Sequence, residues 1–206
     1  MEDVLNVYER PHDSRYPLVC LDEVSKQLTK EVIAPISLKP RHPMRFEHQY
    51  ERNGTCNLFM LFEPFVGRRR VLVTERRTKL DWAYAVRILV DEMFPDAKKI
   101  IVVMDNLNTH TPASLYEAFV PAEARRLTEK LEIHYTPKNA SWLNVAEIEN
   151  SVLTRQCLNR RIPDITTMET EIAAWEKQRN ERNAGVDWRF TTQDARVKLK
   201  QLYPKV

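Results

Sequence analysis

Three acidic residues stand at the ends of three different expected elements. Asp22 follows the apolar run Tyr16 to Leu21, Asp105 follows Lys99 to Met104, and Glu147 opens a helix after Ser141 to Asn144. Carboxylates that converge from separate strands and a helix can hold two Mg²⁺ or Mn²⁺ ions close together. That arrangement clamps both the attacking and the leaving oxygen of a phosphodiester. The residue types therefore point to phosphoryl transfer on nucleic acid. Rival chemistries lack their signatures. Only Gly54, Gly67 and Gly185 exist, so there is no glycine-rich phosphate loop, dinucleotide fingerprint or Gly-Xaa-Ser-Xaa-Gly elbow. No His-Glu-Xaa-Xaa-His or Cys-Xaa-Xaa-Cys spacing offers a zinc site.

The elements that must position these acids are read from periodicity and punctuation. Leu18 to Asp22, Thr55 to Phe62 and Arg70 to Thr74 read as strands, the last two joined by the hairpin-length connection Glu63 to Gly67. Ile100 to Met104 is a continuous apolar run of the buried parallel type, and Leu131 to Tyr135 is a fifth strand. Thr78 to Phe94 reads as an amphipathic helix with Leu80, Ala83, Val86, Val90 and Met93 inward, stopped by Pro95. Pro112 starts another helix towards Phe119, with a second helical piece through Leu127 and Lys130. Asn144 caps a helix from Val145 to about Asn159, Pro163 breaks it, and Thr166 or Thr167 caps the next, which runs to about Arg182. Lys30 to Gly54, with Pro35, Pro40, Pro43 and His42, reads as a long loop bordering the substrate. The expected fold is α/β: a mixed five-stranded sheet, three strands antiparallel and two parallel, flanked by helices.

The 206 residues, 43% hydrophobic, suit one compact domain at 17–206, with 1–16 as an N-terminal linker or arm. No apolar stretch approaches the roughly 20 residues of a bilayer span. A soluble cytoplasmic protein is expected, with Cys20, Cys56 and Cys157 as buried reduced thiols. The net charge is only +3, but Arg68 to Arg70, Arg76 and Arg77, Arg125 and Arg126, and Arg160 and Arg161 form local clusters able to contact phosphate.

Each acid also has an ordinary role open to it. Asp105 can cap a turn, and Asp22 can be a plain strand-end residue whose neighbour Glu23 faces the other way. Glu149 rivals Glu147 as the third acid, because Val145, Ile148, Val152 and Leu153 bracket it on the apolar side of the helix. A core-facing carboxylate must be paired or metal-bound, so a salt bridge is the other role for Glu149. Asn106 and His110 follow Asp105 closely enough to border a scissile phosphate. Lys138 can reach DNA backbone, and Trp142 can anchor its loop or stack on a base.

Asp22-Glu23, Met104-Asp105-Asn106 and Thr136 to Glu147, with its Asn144-Xaa-Xaa-Glu147 step after a Pro-containing loop, resemble the catalytic domain of bacterial transposases of the IS630 group, related to the Tc1/mariner elements. The resemblance runs from Pro17 through Trp188, Phe190 and Asp194 to Leu202-Tyr203-Pro204. It implies a ribonuclease-H-like fold in which Asp22, Asp105 and Glu147 are catalytic and bind two Mg²⁺, Asp22 bridging both, with Mn²⁺ able to substitute. It also implies DNA as partner, both transposon ends and target, a homodimer in the active complex, and nucleoid association in a bacterium. The 41 residues between Asp105 and Glu147 are more than is usual in that family, which puts the extra ones around Ala122 to Lys130. No three-helix stretch precedes Asp22, so sequence-specific end binding is expected to be weak or absent. The same residues also suit a structure-specific nuclease or resolvase of this fold, or an inactive DNA-binding remnant.

Overall fold

The computed structural model describes residues 1–33, 36–43, 48–138 and 140–203; Pro35, Asn139 and Pro204 lie outside that set. Five strands form one sheet: β1 (Leu18–Glu31), β2 (Tyr50–Glu63), β3 (Arg68–Thr74), β4 (Ile100–Met104) and β5 (Leu131–Tyr135). Their spatial order is β3-β2-β1-β4-β5, with β1, β2 and β3 antiparallel and β4 and β5 parallel to β1. Three antiparallel plus two parallel strands is the expected sheet.

β1 corrects the sequence reading. It does not end at Asp22 but runs nine residues further, paired with β2 as far as Glu31↔Tyr50. Beyond Leu21 its side chains turn mostly polar, Val24 and Leu28 excepted, because β4 is only five residues long and leaves that edge of β1 uncovered. An apolar run therefore marks where the strand is sandwiched, not where it stops. The expected loop at Lys30 to Gly54 shrinks accordingly, since β2 begins at Tyr50.

Alternation along the strands splits the core in two. Leu18, Cys20, Leu58, Met60, Ile101 and Val103 face one side, with α1 (Glu2–Tyr8), α5 (Ala146–Leu153), α6 (Ile165–Glu181) and α7 (Thr192–Lys198) packed over them. Val19, Leu21, Phe59, Ile100, Val102 and Met104 face the other, under α2 (Lys79–Ile88), α3 (Pro112–Ala118) and α4 (Pro121–Glu129). The stretch Ala122 to Lys130 falls almost wholly on α4.

α2 opens with a Thr78/Asp81 capping box and passes into a π turn, Leu89–Met93, before Pro95. Its inward face is Trp82, Ala83, Val86, Leu89 and Val90, whereas Leu80, expected inside, is exposed. The N-terminal segment carries α1, which buries Val4, Leu5, Val7 and Tyr8 and reaches α7 through the bidentate Arg196–Glu2 pair. α7, which no expected element covered, begins with a second capping box at Thr191 and Asp194.

At the β2–β3 turn, Gly67 holds φ +76°. A Cβ there would lie 2.5 Å from the backbone of Asn183, so the turn closes against the loop after α6 only with glycine. The three cysteines are buried and unbridged. Among the described residues no helix is long and apolar enough to cross a membrane.

Candidate active site

Parallel pairing of β1 with β4 aligns Leu18 with Ile101, Val19 with Val102 and Cys20 with Val103. Carrying that register two residues further sets Asp22 level with Asp105, the residue just after β4 stops, and the two are near enough for the Asp105 charge to act on Asp22. Strand ends in an α/β sheet open onto a crevice; here β4 delivers Asp105 just past its end, while β1, which runs on, delivers Asp22 from within the strand.

The face of Cys20 and Val103 is covered by α5, and two asparagines fix how it sits. Asn144 donates from Nδ2 to the Leu21 carbonyl (2.8 Å), while its Oδ1 accepts from the backbone N–H of Ala146 (3.2 Å). The entrance of the helix is thereby tied to the residue before Asp22. One and a half turns on, Asn150 Nδ2 donates to Asp22 Oδ2 (2.8 Å). Tyr8, from α1, donates to the Leu143 carbonyl (2.7 Å) and steadies the loop that feeds α5. Neither Asn150 nor Tyr8 carries a signal in the sequence, and Asn144 is expected there as a helix cap and as the start of the Asn-Xaa-Xaa-Glu step, not as a tether to β1.

α5 separates the two candidate glutamates. Its buried face is Val145, Ala146, Glu149, Asn150 and Leu153, while Ile148, expected on that face, is exposed. Glu149 is 1% exposed and meets two arginines: Arg179 Nε and Nη2 donate to its two oxygens (3.1 and 2.9 Å), and Arg69 Nε approaches Oε1 at 2.9 Å. The Arg69 N–H is not aimed along that line, so the contact is an ion pair without an aligned hydrogen bond. Burial lowers the Arg69 pKa, and the Glu149 charge opposes that fall. Glu149 is thus committed to holding α5 against β3 and α6. Glu147, partly exposed one position off the core face, is near enough to Asp22 for its charge to raise the Asp22 pKa.

The acids act on one another electrostatically. Burial pushes the Asp22 carboxyl up to about 6, the Asn150 hydrogen bond pulls the other way, and the charges of Glu147 and Asp105 add to the rise. Asp105 is held from behind. His110 Nδ1 lies 2.6 Å from Asp105 Oδ1 and is aimed at the Asp105 carbonyl (3.3 Å), while Nε2 meets Glu23 Oε2 at 2.7 Å. Burial of the ring opposes its charge, but the contacts with Asp105 and Glu23 outweigh it and hold the His110 pKa up to about 9. His110 is 1% exposed and stacks near Trp82 (6.0 Å between ring centres), so it backs Asp105 rather than facing a bound phosphate.

Asn106 and Lys138 are exposed, and with Asp105, Thr136, Pro137 and Ser141 they border a cleft of about 460 Å³. Trp142 packs on Trp188 (6.4 Å, nearly parallel) and edge-on to Phe190 (5.7 Å), which is the anchoring role; one part of the ring stays exposed. A larger groove of about 600 Å³ follows the outer edge of β3 between α2 and α6, and its lining includes none of the three acids.

Most of the expected arginine clusters are already paired. Arg68 binds Glu63, Arg70 binds Glu176, Arg126 binds Asp91, Arg160 binds Glu171 and Arg161 binds Glu31. Arg69 lies wholly inside the protein.

The carboxylates of Asp105 and Glu147 act on Asp22 through their charge, carboxylate oxygens are the donors a hard divalent cation takes, and the buried Asn150 Oδ1 has no hydrogen-bond partner. Among the described residues, however, no three His, Cys, Asp or Glu side chains are gathered closely enough to cage an ion as they stand.

A mixed sheet in the order β3-β2-β1-β4-β5, helices on both faces and acids at the β1 and β4 edge are the ribonuclease-H-like architecture. The chain superposes on the Mos1 mariner paired-end complex with Mn with a TM-score of 0.57 at 15% identity, covering 89% of this chain and 55% of that one. For the Mos1 strand transfer complex the TM-score is 0.59 at 13% identity, with the same coverage. This chain therefore spans about half the length of those structures. No curated protein matches it. The model of the DDE superfamily endonucleases matches residues 17–169, and the chain belongs to that family.

Proposed function

We propose that this chain is the catalytic domain of a transposase, of the IS630 group of bacterial insertion sequences, that cuts and joins DNA strands using Asp22, Asp105 and Glu147. Residues 17–206 make up that domain, and the N-terminal arm, residues 1–16, completes its core through α1. The observation that carries the reading is the convergence of charge on Asp22: Asp105, just past the end of neighbouring β4, and Glu147, on a helix tied to β1, both raise its pKa.

Asp22, Asp105 and Glu147 would hold two Mg²⁺ or Mn²⁺ ions. When bound, such ions activate the attacking oxygen and neutralise charge on the leaving one. The rest falls to side chains of this chain. Asn150 fixes one oxygen of Asp22, His110 fixes one oxygen of Asp105, and the Asn144 tether sets where Glu147 emerges. Lys138, at the rim of the cleft beside Asp105, is placed to meet a phosphate of the DNA backbone. With so many arginines paired internally, DNA affinity of this domain alone should be modest and salt-sensitive. The Mos1 structures are of a transposase on paired transposon ends, and a dimer of this chain on two ends is part of the proposal.

The test is cleavage of end-labelled duplex DNA in Mg²⁺ or Mn²⁺ by the unmutated chain and by Asp22→Asn, Asp105→Asn and Glu147→Gln. The expected result is metal-dependent cleavage that each substitution lowers at least a hundredfold, with joined strands among the products. Cleavage that survives chelation, or is unchanged in Asp105→Asn, overturns the reading; cleavage without joining favours a nuclease or resolvase.

A further inference from the structure

Glu23, His110 and Asp105 form a linked chain in which the three-acid reading gives Glu23 no task. Glu23 comes from β1, one residue beyond Asp22, and so faces the opposite side of the sheet. Its side chain is 5% exposed, and its Oε2 takes one ring nitrogen of His110 at 2.7 Å. The other ring nitrogen reaches Asp105 twice, at the carbonyl and at Oδ1. Tyr135 donates to the His110 carbonyl (2.7 Å), Trp82 lies against the ring, and Arg77 stands 3.8 Å from the free side of Glu23.

An imidazole with a carboxylate at each nitrogen cannot rotate without breaking both contacts. It therefore fixes the backbone and one oxygen of Asp105, leaving the second oxygen as the one available outward. The network also spans the sheet: it links the β1 residue next to Asp22 to the end of β4, so the two aspartates are braced at a set separation.

We propose that Glu23 and His110 are positioning residues that hold Asp105 in a one-oxygen, cation-ready orientation. The inference rests on the proposed role of Asp105 in binding metal. Partners behind a ligating group typically change metal affinity roughly 10–100-fold when removed.

The test is a Mn²⁺ titration of the full chain, followed by electron paramagnetic resonance, for the unmutated protein, Asp105→Ala, His110→Gln, Glu23→Gln and Trp82→Phe, with thermal melts in chelator alongside. His110→Gln should weaken Mn²⁺ binding roughly tenfold or more, and Glu23→Gln should shift it in the same direction. Trp82→Phe disturbs the packing of the ring but neither polar contact, so it should lower the melting temperature and leave affinity unchanged. Affinity equal to the unmutated chain in both His110→Gln and Glu23→Gln overturns the positioning role while leaving the metal site intact. An equal loss in Trp82→Phe overturns it too, since the effect would then be general loosening. If His110→Gln does not fold, Glu23→Gln carries the comparison. No Mn²⁺ binding by the unmutated chain removes the metal reading and the inference with it.

Discussion

Asn144 joins α5 to β1 by donating to the carbonyl of Leu21, 123 positions earlier in the chain. Both groups are buried, so Asn144→Ala leaves a carbonyl without its donor as well as an uncapped helix start. The expected loss is about 1–3 kcal/mol of stability in urea melts. Glu147 should lose its fixed position at the same time, so metal affinity should fall together with stability. A variant with unchanged stability would show that the tether is dispensable.

Glu147 and Glu149 should separate cleanly. Glu149→Ala strands Arg69 as an unpaired charge inside the protein, a situation that costs about 3–5 kcal/mol. Glu147→Gln, at a partly exposed position, should change stability by less than about 0.5 kcal/mol and remove metal-dependent cleavage. The reverse pattern would make Glu149 the third acid.

Asp22 gives an inverted pH dependence in chelator. Its folded pKa, about 6, lies above the roughly 3.9 of an unfolded aspartate, so the native state binds the proton more tightly. The contribution is fully present below pH 4 and is lost as pH rises from about 4 to 6. Asp22→Asn should therefore be more stable than the unmutated chain at pH 7.5, by something on the order of 2 kcal/mol, and no more stable at pH 4. Equal denaturation midpoints for the two proteins at pH 7.5 would count against this assignment.

Gly67→Ala should destabilise the protein by at least about 2 kcal/mol, since a side chain at φ +76° is strained and would also strike the backbone of Asn183. A shift in melting temperature of less than a degree would mean that the turn relaxes without loss.

What the sequence disclosed depends on how local each signal was. β4 was legible because five consecutive apolar residues are buried on both faces. Glu149 was legible as core-facing because Val145, two helical half-turns away, and Leu153, four residues on, mark its side of the helix. The outer half of β1 was not, because a strand paired on one edge and packed on one face only, through Val24 and Leu28, carries no continuous apolar run. The supports of the site were hidden for a different reason. Asn150 meets Asp22 across 128 positions and His110 meets Glu23 across 87, and no spacing rule connects residues that only the folded sheet brings together. Ile148 misled because its hydrophobicity suggested burial at a position the helix turns outward.

The arginine clasp on Glu149 has one more consequence. Adjacent positions on a helix differ by about 100° of azimuth, and any slippage of α5 about its own axis would pull Glu149 out from between Arg69 and Arg179. The clasp therefore acts as an angular key: with Glu149 locked, rotation of α5 is closed to Glu147 two letters earlier, and the Asn144 tether is left to set only where against β1 the helix begins.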